Sequence, residues 1–245
     1  MANKTVLVTG GSRGIGKAIA IEFAKKGYDV LINFKSSVEK ANNLANYITK
    51  NFNVKCLVFQ ADVSKEDDCL NLYQFALKEL KKIDVLVNNA GICLDMDLHD
   101  RTVGHFLDTF KTNVFSVFFL SKLFADLMFE NKYGKIINIS SNNSINQFYP
   151  TSIDYDASKF SVNSLTKNFA IQYAPYVNVN AVAPGWIKTD MNICLTDEFM
   201  IEESKKILKR RIGTAEDVAK LVTFLASDDA DYIDGEIIVI DGGMF

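Results

Sequence analysis

Histidine is scarce. His99 and His105 are the only two in 245 residues, and the four cysteines (Cys56, Cys69, Cys93 and Cys194) form no C-x-x-C pair. That leaves no ligand set for a zinc site, and no metal is expected. The scattered thiols make no disulfide framework and read as reduced, in a cytoplasmic setting. Excess positive charge is also missing: 27 Lys+Arg against 30 Asp+Glu give a net charge of −3, so the whole-chain signature of a nucleic-acid binder is absent. No apolar stretch is read as reaching the roughly 18 residues that span a membrane, and the start, MANKTVLVTGG, lacks the apolar run and cleavage site of a secretory signal. Prolines number three, Pro150, Pro175 and Pro184, each where a strand or helix is expected to end. No linker, repeat or low-complexity segment interrupts the chain, which predicts a single domain over residues 1–245 with a sizeable core.

What is present is alternation. Short β-branched runs cover residues 4–9, 29–34, 54–59, 83–88, 135–140, 177–182 and 236–241. Helical patterns separate them, starting near Gly14, Val38 and Lys65, then a long Phe-rich segment over 104–131, a segment holding Tyr155, a polar insert over 190–212, and a last helix from about Ala215. Continuously apolar strands belong to a sheet covered on both faces. Strand–helix alternation predicts an α/β, single-domain Rossmann fold: a doubly wound parallel sheet of about seven strands, joined by right-handed crossovers. The 190–212 insert is expected to roof a substrate.

The first strand runs into TGGSRGIG, with Gly10, Gly14 and Gly16 at a strand-to-helix turn. Glycine lets the backbone turn sharply and approach a pyrophosphate, and the next helix offers free N–H groups to it. The context, after a strand and opening a helix, is what a dinucleotide site requires. At the end of the second strand an NAD site places an acid for the ribose 2′-hydroxyl. Here Phe34 stands there, followed by Lys35, and Arg13 lies in the glycine loop. Two cations and no acid predict NADP(H); the alternative is that Lys35 is a solvated surface lysine.

Tyr155 and Lys159, in DYDASK, lie one helical turn apart on one face. An ammonium about 4 Å from a phenol, at an effective dielectric of about 20, favours phenolate by about 4 kcal/mol. That draws a poor acid toward neutral working pH. The alternative is an ordinary helix with an exposed lysine and a half-buried tyrosine.

These motifs resemble, in order and over nearly the whole length, the short-chain dehydrogenase/reductase family: T-G-x-x-x-G-I-G at 9–16, NNAG at 88–91, Asn113 in the long helix, Ser140–Ser141 after the fifth strand, Y-x-x-x-K at 155–159, PGWIKTDM at 184–191 and YIDGEIIVIDGG at 232–243. Among its branches the chain is most similar to the 3-oxoacyl-[acyl-carrier-protein] reductases. The resemblance implies reduction of a 3-oxoacyl thioester, with Tyr155 giving its proton to the carbonyl oxygen. Lys159 would lower the Tyr155 pKa and hold the nicotinamide ribose, Ser141 would bind the carbonyl oxygen, and Asn113 would hold a water linking Lys159 to solvent. Gly10, Ser12, Arg13, Gly14, Ile15, Gly16 and Lys35 would bind the cofactor, together with Tyr155 and Lys159. Asp62 and Val63 would meet its adenine, Asn89 and Gly91 would lie along it, and Ile187 and Thr189 would hold its carboxamide.

The chain departs from that branch at two places. Ser141 stands 14 residues before Tyr155, one more than usual, which keeps Ser144 open as a stand-in. The arginine usual before the sixth strand is missing from YAPYVNVN, which leaves a reductase or dehydrogenase of another small ketone or alcohol (sugar, polyol, quinone) as the alternative; a non-catalytic NADP-binding regulator is more remote. KKILKRR in the insert offers a substitute. Read as helix, it stacks Lys205 on Lys209 and Lys206 on Arg210, with Arg211 beside them, as a docking patch for an acidic acyl carrier protein. The alternative is a solvated lid helix. The phenylalanines of 106–129 are assigned to core and subunit packing, with a substrate tunnel as the alternative. Phe115, Phe118, Phe119, Phe124, Phe160 and Phe169 exceed what one sheet face can cover, so a homotetramer is expected. His99 and His105 read as surface or capping residues, and Cys93 and Cys194 as packing residues.

Overall fold

The computed structural model describes residues 3–189 and 196–244. In chain order its elements are β1 (Thr5–Val8), α1 (Gly14–Lys25), β2 (Asp29–Phe34), α2 (Val38–Phe52), β3 (Cys56–Gln60), α3 (Glu66–Leu80), β4 (Val85–Asn88), α4 (Val103–Phe110), α5 (Ser116–Glu130), β5 (Gly134–Ile139), α6 (Ile153–Tyr173), β6 (Val177–Pro184), α7 (Asp197–Lys206), α8 (Ala215–Leu225) and β7 (Ile237–Ile240). The strands form one seven-stranded sheet in the order β3-β2-β1-β4-β5-β6-β7, parallel at every pairing. This is the doubly wound architecture expected. The order reverses between β1 and β4, and open sheets of this kind bind ligands at such a reversal.

Successive side chains of a strand point to opposite faces. In β1, Val6 and Val8 join a core built with Ile19 and Phe23 of α1, Ile48 of α2 and Val222 of α8. Leu7 goes to the other face, with Leu72 of α3, Phe124 of α5 and Phe169 of α6. Each such side chain, fully buried, contributes about 1.5–3 kcal/mol. That two-sided burial is why the strands read as unbroken apolar runs. Helix α8 starts on a reciprocal cap: the Thr214 hydroxyl accepts from the Asp217 N–H, and Asp217 accepts from the Thr214 N–H.

Three expectations need correction. The Phe-rich segment is not one regular helix, because a wide π turn, Lys111–Phe115, separates α4 from α5. Taken together, Val103–Glu130 is long and apolar enough to cross a membrane, contrary to the reading that no stretch is. It is nevertheless a core element here: Leu120, Phe124, Ala125 and Met128 are buried against the sheet. Third, the basic stretch of the insert is not helical throughout. Helix α7 ends at Lys206, Ile207 is extended and bridges Met244, and Arg210 has a left-handed φ of 53°. Lys205 and Lys209 therefore do not stack one turn apart, and neither do Lys206 and Arg210. Lys205 pairs with Glu202 (2.6 Å), Lys206 with Glu203 (2.5 Å) and Arg211 with Asp217 (2.7 Å), while Arg210 donates to the Lys205 carbonyl.

Candidate active site

A cavity of about 530 Å³ opens where the chain leaves the C-terminal ends of β1 to β6. Ligand pockets span roughly 300–1,000 Å³. One end is backbone. Gly10 and Gly14 both have left-handed φ, +60° and +54°. A Cβ on Gly10 would lie 3.0 Å from the Ala90 Cα, so a side chain there is both strained and crowded. Helix α1 begins at Arg13 with no side-chain cap, which leaves its first N–H groups available to an anion. The loop is held from below. Thr9 Oγ1 accepts from the N–H groups of Asn89 (2.9 Å) and Ala90 (3.0 Å), and Asn89 Nδ2 donates to the carbonyl of Thr9 (2.9 Å). Asn33 Oδ1 accepts from the Gly10 N–H (3.3 Å) while Asn33 Nδ2 reaches the Ala61 carbonyl (3.0 Å). Sequence reading missed Thr9 and Asn33 as supports, although Asn33 is a lone amide in an apolar strand and is only 2% exposed.

Of the expected cofactor residues, Gly10, Ser12, Arg13, Gly14, Ile15, Lys35, Asp62, Val63, Asn89, Gly91, Ile187 and Thr189 line the cavity. Gly16 does not. A Cβ there would sit 2.5 Å from both Asn89 Nδ2 and the Gly10 carbonyl oxygen, so Gly16 lets α1 pack onto the loop. Phe34 is buried at the end of β2, and no acid takes its place. Lys35 is not a free cation: its Nζ lies 2.9 Å from Asp62 Oδ2. Burial alone would raise the Asp62 carboxyl, but hydrogen bonds from Lys35 and Ser64 outweigh it and hold it below the usual carboxylate range. The carboxylate expected beside an adenine is thus engaged with Lys35 and Ser64.

The other end is built of side chains. Ser141, Tyr155 and Lys159 line it together, brought there by the end of β5 and the first turns of α6. The Ser141 hydroxyl and the Tyr155 phenol face the same end of the cavity. Ser144 is turned away: its Oγ donates to the Ser141 carbonyl (2.5 Å) and lies 3.1 Å from Ser140 Oγ. Lys159 Nζ donates to the Ile139 carbonyl (2.7 Å) and sits 5.6 Å from the centre of the Tyr155 ring. Asn113, in the π turn, is fully buried behind the wall. Its amide pairs both ways with the Ile92 backbone (2.8 and 2.9 Å) and donates to Ser158 Oγ (3.0 Å). A Cβ on Gly91 would meet Asn113 Oδ1 at 3.4 Å and Lys159 Nζ at 3.5 Å, so Gly91 lies directly against both groups.

Burial dominates the electrostatics of this pair. It raises the Tyr155 phenol well above its ordinary value, with Cys93 and Asp156 adding to that and the Ser141 hydroxyl opposing it. Burial also lowers Lys159, to about 8. The physical reason is placement: the ammonium faces the Ile139 carbonyl and the ring, and desolvation dominates both groups. Tyr155 is therefore fully protonated at neutral pH, the state an acid needs.

Cys93 lines the same cavity, and burial pushes its thiol up to about 12, so it is not an activated nucleophile. None of the phenylalanines of 106–129 lines the cavity among the described residues, in line with their assignment to packing. Instead the substrate side carries Asn143, Gln147, Tyr149, Trp186 and Phe199, which sequence reading did not single out. The Trp186 ring meets Tyr149 (5.9 Å) and Phe199 of α7 (5.5 Å), and its Nε1 donates to the buried Glu203 (3.1 Å). His105 completes the Thr102 cap of α4 and His99 is exposed, as expected. Cys194 and residues 190–195 of the insert lie outside the described residues.

The family profile described as short chain dehydrogenase matches residues 4–198. The chain is 38% identical over 244 residues to the 3-oxoacyl-[acyl-carrier-protein] reductase FabG of Staphylococcus epidermidis, covering 99% of each. Among solved structures it is similar to a short chain dehydrogenase from Burkholderia cenocepacia in complex with NADP (31% identity, TM-score 0.90, 98% of this chain and 97% of that one). It is equally similar in fold to acetoin dehydrogenase YohF from Salmonella typhimurium (30% identity, TM-score 0.90, 99% and 96%).

Proposed function

The chain belongs to the short-chain dehydrogenase family of nicotinamide-dependent oxidoreductases, and from that premise we propose that it reduces a 3-oxoacyl thioester, carried by acyl carrier protein, to the 3-hydroxyacyl form with NADPH. The observation that carries the reading is one cavity with two ends: a backbone cradle at Gly10–Gly14 and, at the other, Ser141, Tyr155 and Lys159 together. A nicotinamide cofactor bound there supplies the hydride. The Ser141 and Tyr155 hydroxyls bind the substrate carbonyl oxygen and stabilise the charge that develops on it. Tyr155 then gives that oxygen its proton, and its high pKa keeps the proton available across neutral pH. Lys159, beneath the Tyr155 ring, holds the nicotinamide ribose and favours the phenolate left behind. Asn113 fixes the Ile92 backbone and so the floor on which Lys159 and Gly91 meet. Arg13 and Lys35 meet the 2′-phosphate, Lys35 by exchanging its Asp62 partner for it.

Full-length likeness to FabG favours the acyl-carrier substrate. Of the basic stretch, Lys209 and Arg210 keep no carboxylate partner among the described residues, so carrier docking through Lys205, Lys209 and Arg210 rests on fewer free charges than five. A second reading, a small polar ketone or alcohol, is favoured by the amides Asn143 and Gln147 on the substrate side. Following NADPH consumption with an acetoacetyl thioester, an acyl-carrier thioester and a panel of free ketones separates the two. Turnover of the free ketones alone would overturn the thioester reading.

The proposed setting is the cytoplasm, and the proposed assembly is a homotetramer. Phe115 in the π turn, Phe118 on α5 and Phe160 on α6 are exposed, at 51%, 46% and 62%. Of the six phenylalanines first assigned to that surface, Phe124 and Phe169 are instead core, and Phe119 packs against it. Sedimentation at micromolar concentration tests the assembly; a monomer would refute it.

A further inference from the structure

Two aspartates flank the catalytic tyrosine, and neither belongs to the motif that marks it. Asp154 is 1% exposed and Asp156 is 9% exposed. Residues two apart in an α-helix point about 200° apart, so the carboxylates leave Tyr155 on opposite sides. Asp154 turns toward the chain after β4. Arg101 Nη1 lies 3.0 Å from its Oδ1, Thr109 Oγ1 donates to its Oδ2 (2.6 Å), and the same guanidinium donates to the carbonyls of Leu94 (2.8 Å) and Thr151 (2.5 Å). Asp156 turns toward the chain after β5. Its Oδ1 accepts from Asn143 Nδ2 (2.8 Å) and Ser152 Oγ (3.1 Å), and its Oδ2 accepts from the Tyr149 N–H (3.1 Å).

The second set closes a ring. Asn143, held by Asp156, donates its backbone N–H to Ser141 Oγ (3.2 Å), and Ser141 lines the cavity together with Tyr155, the neighbour of Asp156. With that lone pair occupied, the Ser141 hydroxyl hydrogen is left to point toward Tyr155 and the carbonyl oxygen that would sit between them.

We propose that Asp156, acting through Asn143, is a positioning residue that holds Ser141 against Tyr155. This rests on the reading of Ser141 and Tyr155 as the pair that binds the carbonyl oxygen.

The test is a double-mutant cycle on Asp156→Ala and Ser141→Ala, with kcat, KM and the NADPH dissociation constant measured for each, using whichever ketone the wild type turns over. Misplacing a catalytic group by about 1 Å costs up to about a hundredfold, so Asp156→Ala is expected to lower kcat about ten- to hundredfold. NADPH binding should stay within about twofold, because Asp156 does not touch the glycine loop. Ser141→Ala should cost far less in the Asp156→Ala background than alone, since residues acting in one chain of contacts are not additive. Asp156→Asn keeps the oxygen that serves Asn143 and should recover most of kcat. Asn143→Ala cuts the same link from the loop side and should reproduce the loss if Asp156→Ala folds poorly. A readout independent of turnover is amide exchange in the ligand-free protein: Asp156→Ala should speed exchange at the Asn143 N–H and leave the α6 amides after Ser158 unchanged. Additive losses in the cycle, or an unchanged Asn143 amide, would overturn the proposal. A wild type inert toward every ketone, with the Asn143 amide responding as stated, would instead overturn the reduction reading and leave the positioning intact.

Discussion

Around Gly10 the cavity wall is main chain, fixed by a left-handed glycine, the uncapped start of α1, and the Thr9 and Asn33 side chains that bond the loop from beneath. Around Tyr155 the wall is side chain, fixed by side-chain pairs that tie loops to helices: Arg101 with Asp154, Asn143 with Asp156, Trp186 with Glu203. A phosphate is the same in every dinucleotide, so backbone N–H groups on a rigid turn suffice to bind it. A ketone substrate differs from enzyme to enzyme. Loops tied by exchangeable side-chain pairs can be altered there without disturbing the sheet.

The largest effect that separates the two ends is expected from Tyr155→Phe. It removes one oxygen and leaves the ring over Lys159. Loss of a general acid costs about 10²–10⁴-fold in kcat, while NADPH binding, seated at the glycine loop, should be nearly unchanged by fluorescence titration. If the variant kept a tenth of wild-type turnover, the proton would come from elsewhere.

Arg101→Met should be the next largest, in stability. The Arg101 and Asp154 side chains are 2% and 1% exposed, and Asp154 would remain buried without its cation. Breaking a buried pair from one side costs about 3–5 kcal/mol, whereas replacing both partners by apolar groups is often near neutral. Denaturant unfolding should therefore show Arg101→Met well below the double variant Arg101→Met, Asp154→Leu. Equal losses would mean that the pair is held by its surroundings and not by charge.

At the nucleotide end the comparable change is small. Arg13 and Lys35 should give NADPH a preference over NADH of about tenfold or more, from charge-assisted bonds worth about 1.5–3 kcal/mol each. The Lys35–Asp62 pair (2.9 Å) opposes part of that gain, because Lys35 must leave a carboxylate to meet a phosphate. Phe34→Asp with Lys35→Ala should move preference toward NADH. Equal kcat/KM for the two cofactors in the wild type would remove the assignment.

The same contrast explains what could be read in the sequence. Strand β2 and the start of helix α2 were legible to within a residue because apolar periodicity and β-branching are local properties. The glycine loop was legible because its chemistry is carried by consecutive residues. The π turn at Asn113 was not, since a one-residue widening leaves the apolar pattern unbroken. The end of α7 at Lys206 was missed because Ile207 leaves the helix to pair with Met244, a partner in the distant C-terminal segment. Asp154 and Asp156 belong to no motif, and acids are favoured at any helix start. Only the fold brings Arg101 and Asn143 to them.

The smallest expected effect is in pH, and it returns to Lys159. Its ammonium is lowered to about 8 by burial, whereas the Tyr155 phenol is raised above its ordinary value. As pH rises, Lys159 loses its charge first and Tyr155 stays protonated. The kcat/KM of the free enzyme, which reports its essential ionisations, should thus be halved at about pH 8 and fall further above it. Stability should move the other way through this group. A lysine with a lowered folded pKa destabilises the protein while both states are charged, below about pH 8, and that cost fades between about 8 and its unfolded value of 10.5. The thermal midpoint of Lys159→Met, measured against wild type without cofactor, should exceed it most at neutral pH, with the gap narrowing toward pH 10. An activity limb displaced above pH 10 would assign the ionisation to Tyr155, and a gap that widens with pH would mean that Lys159 is held charged by a partner other than the Ile139 carbonyl.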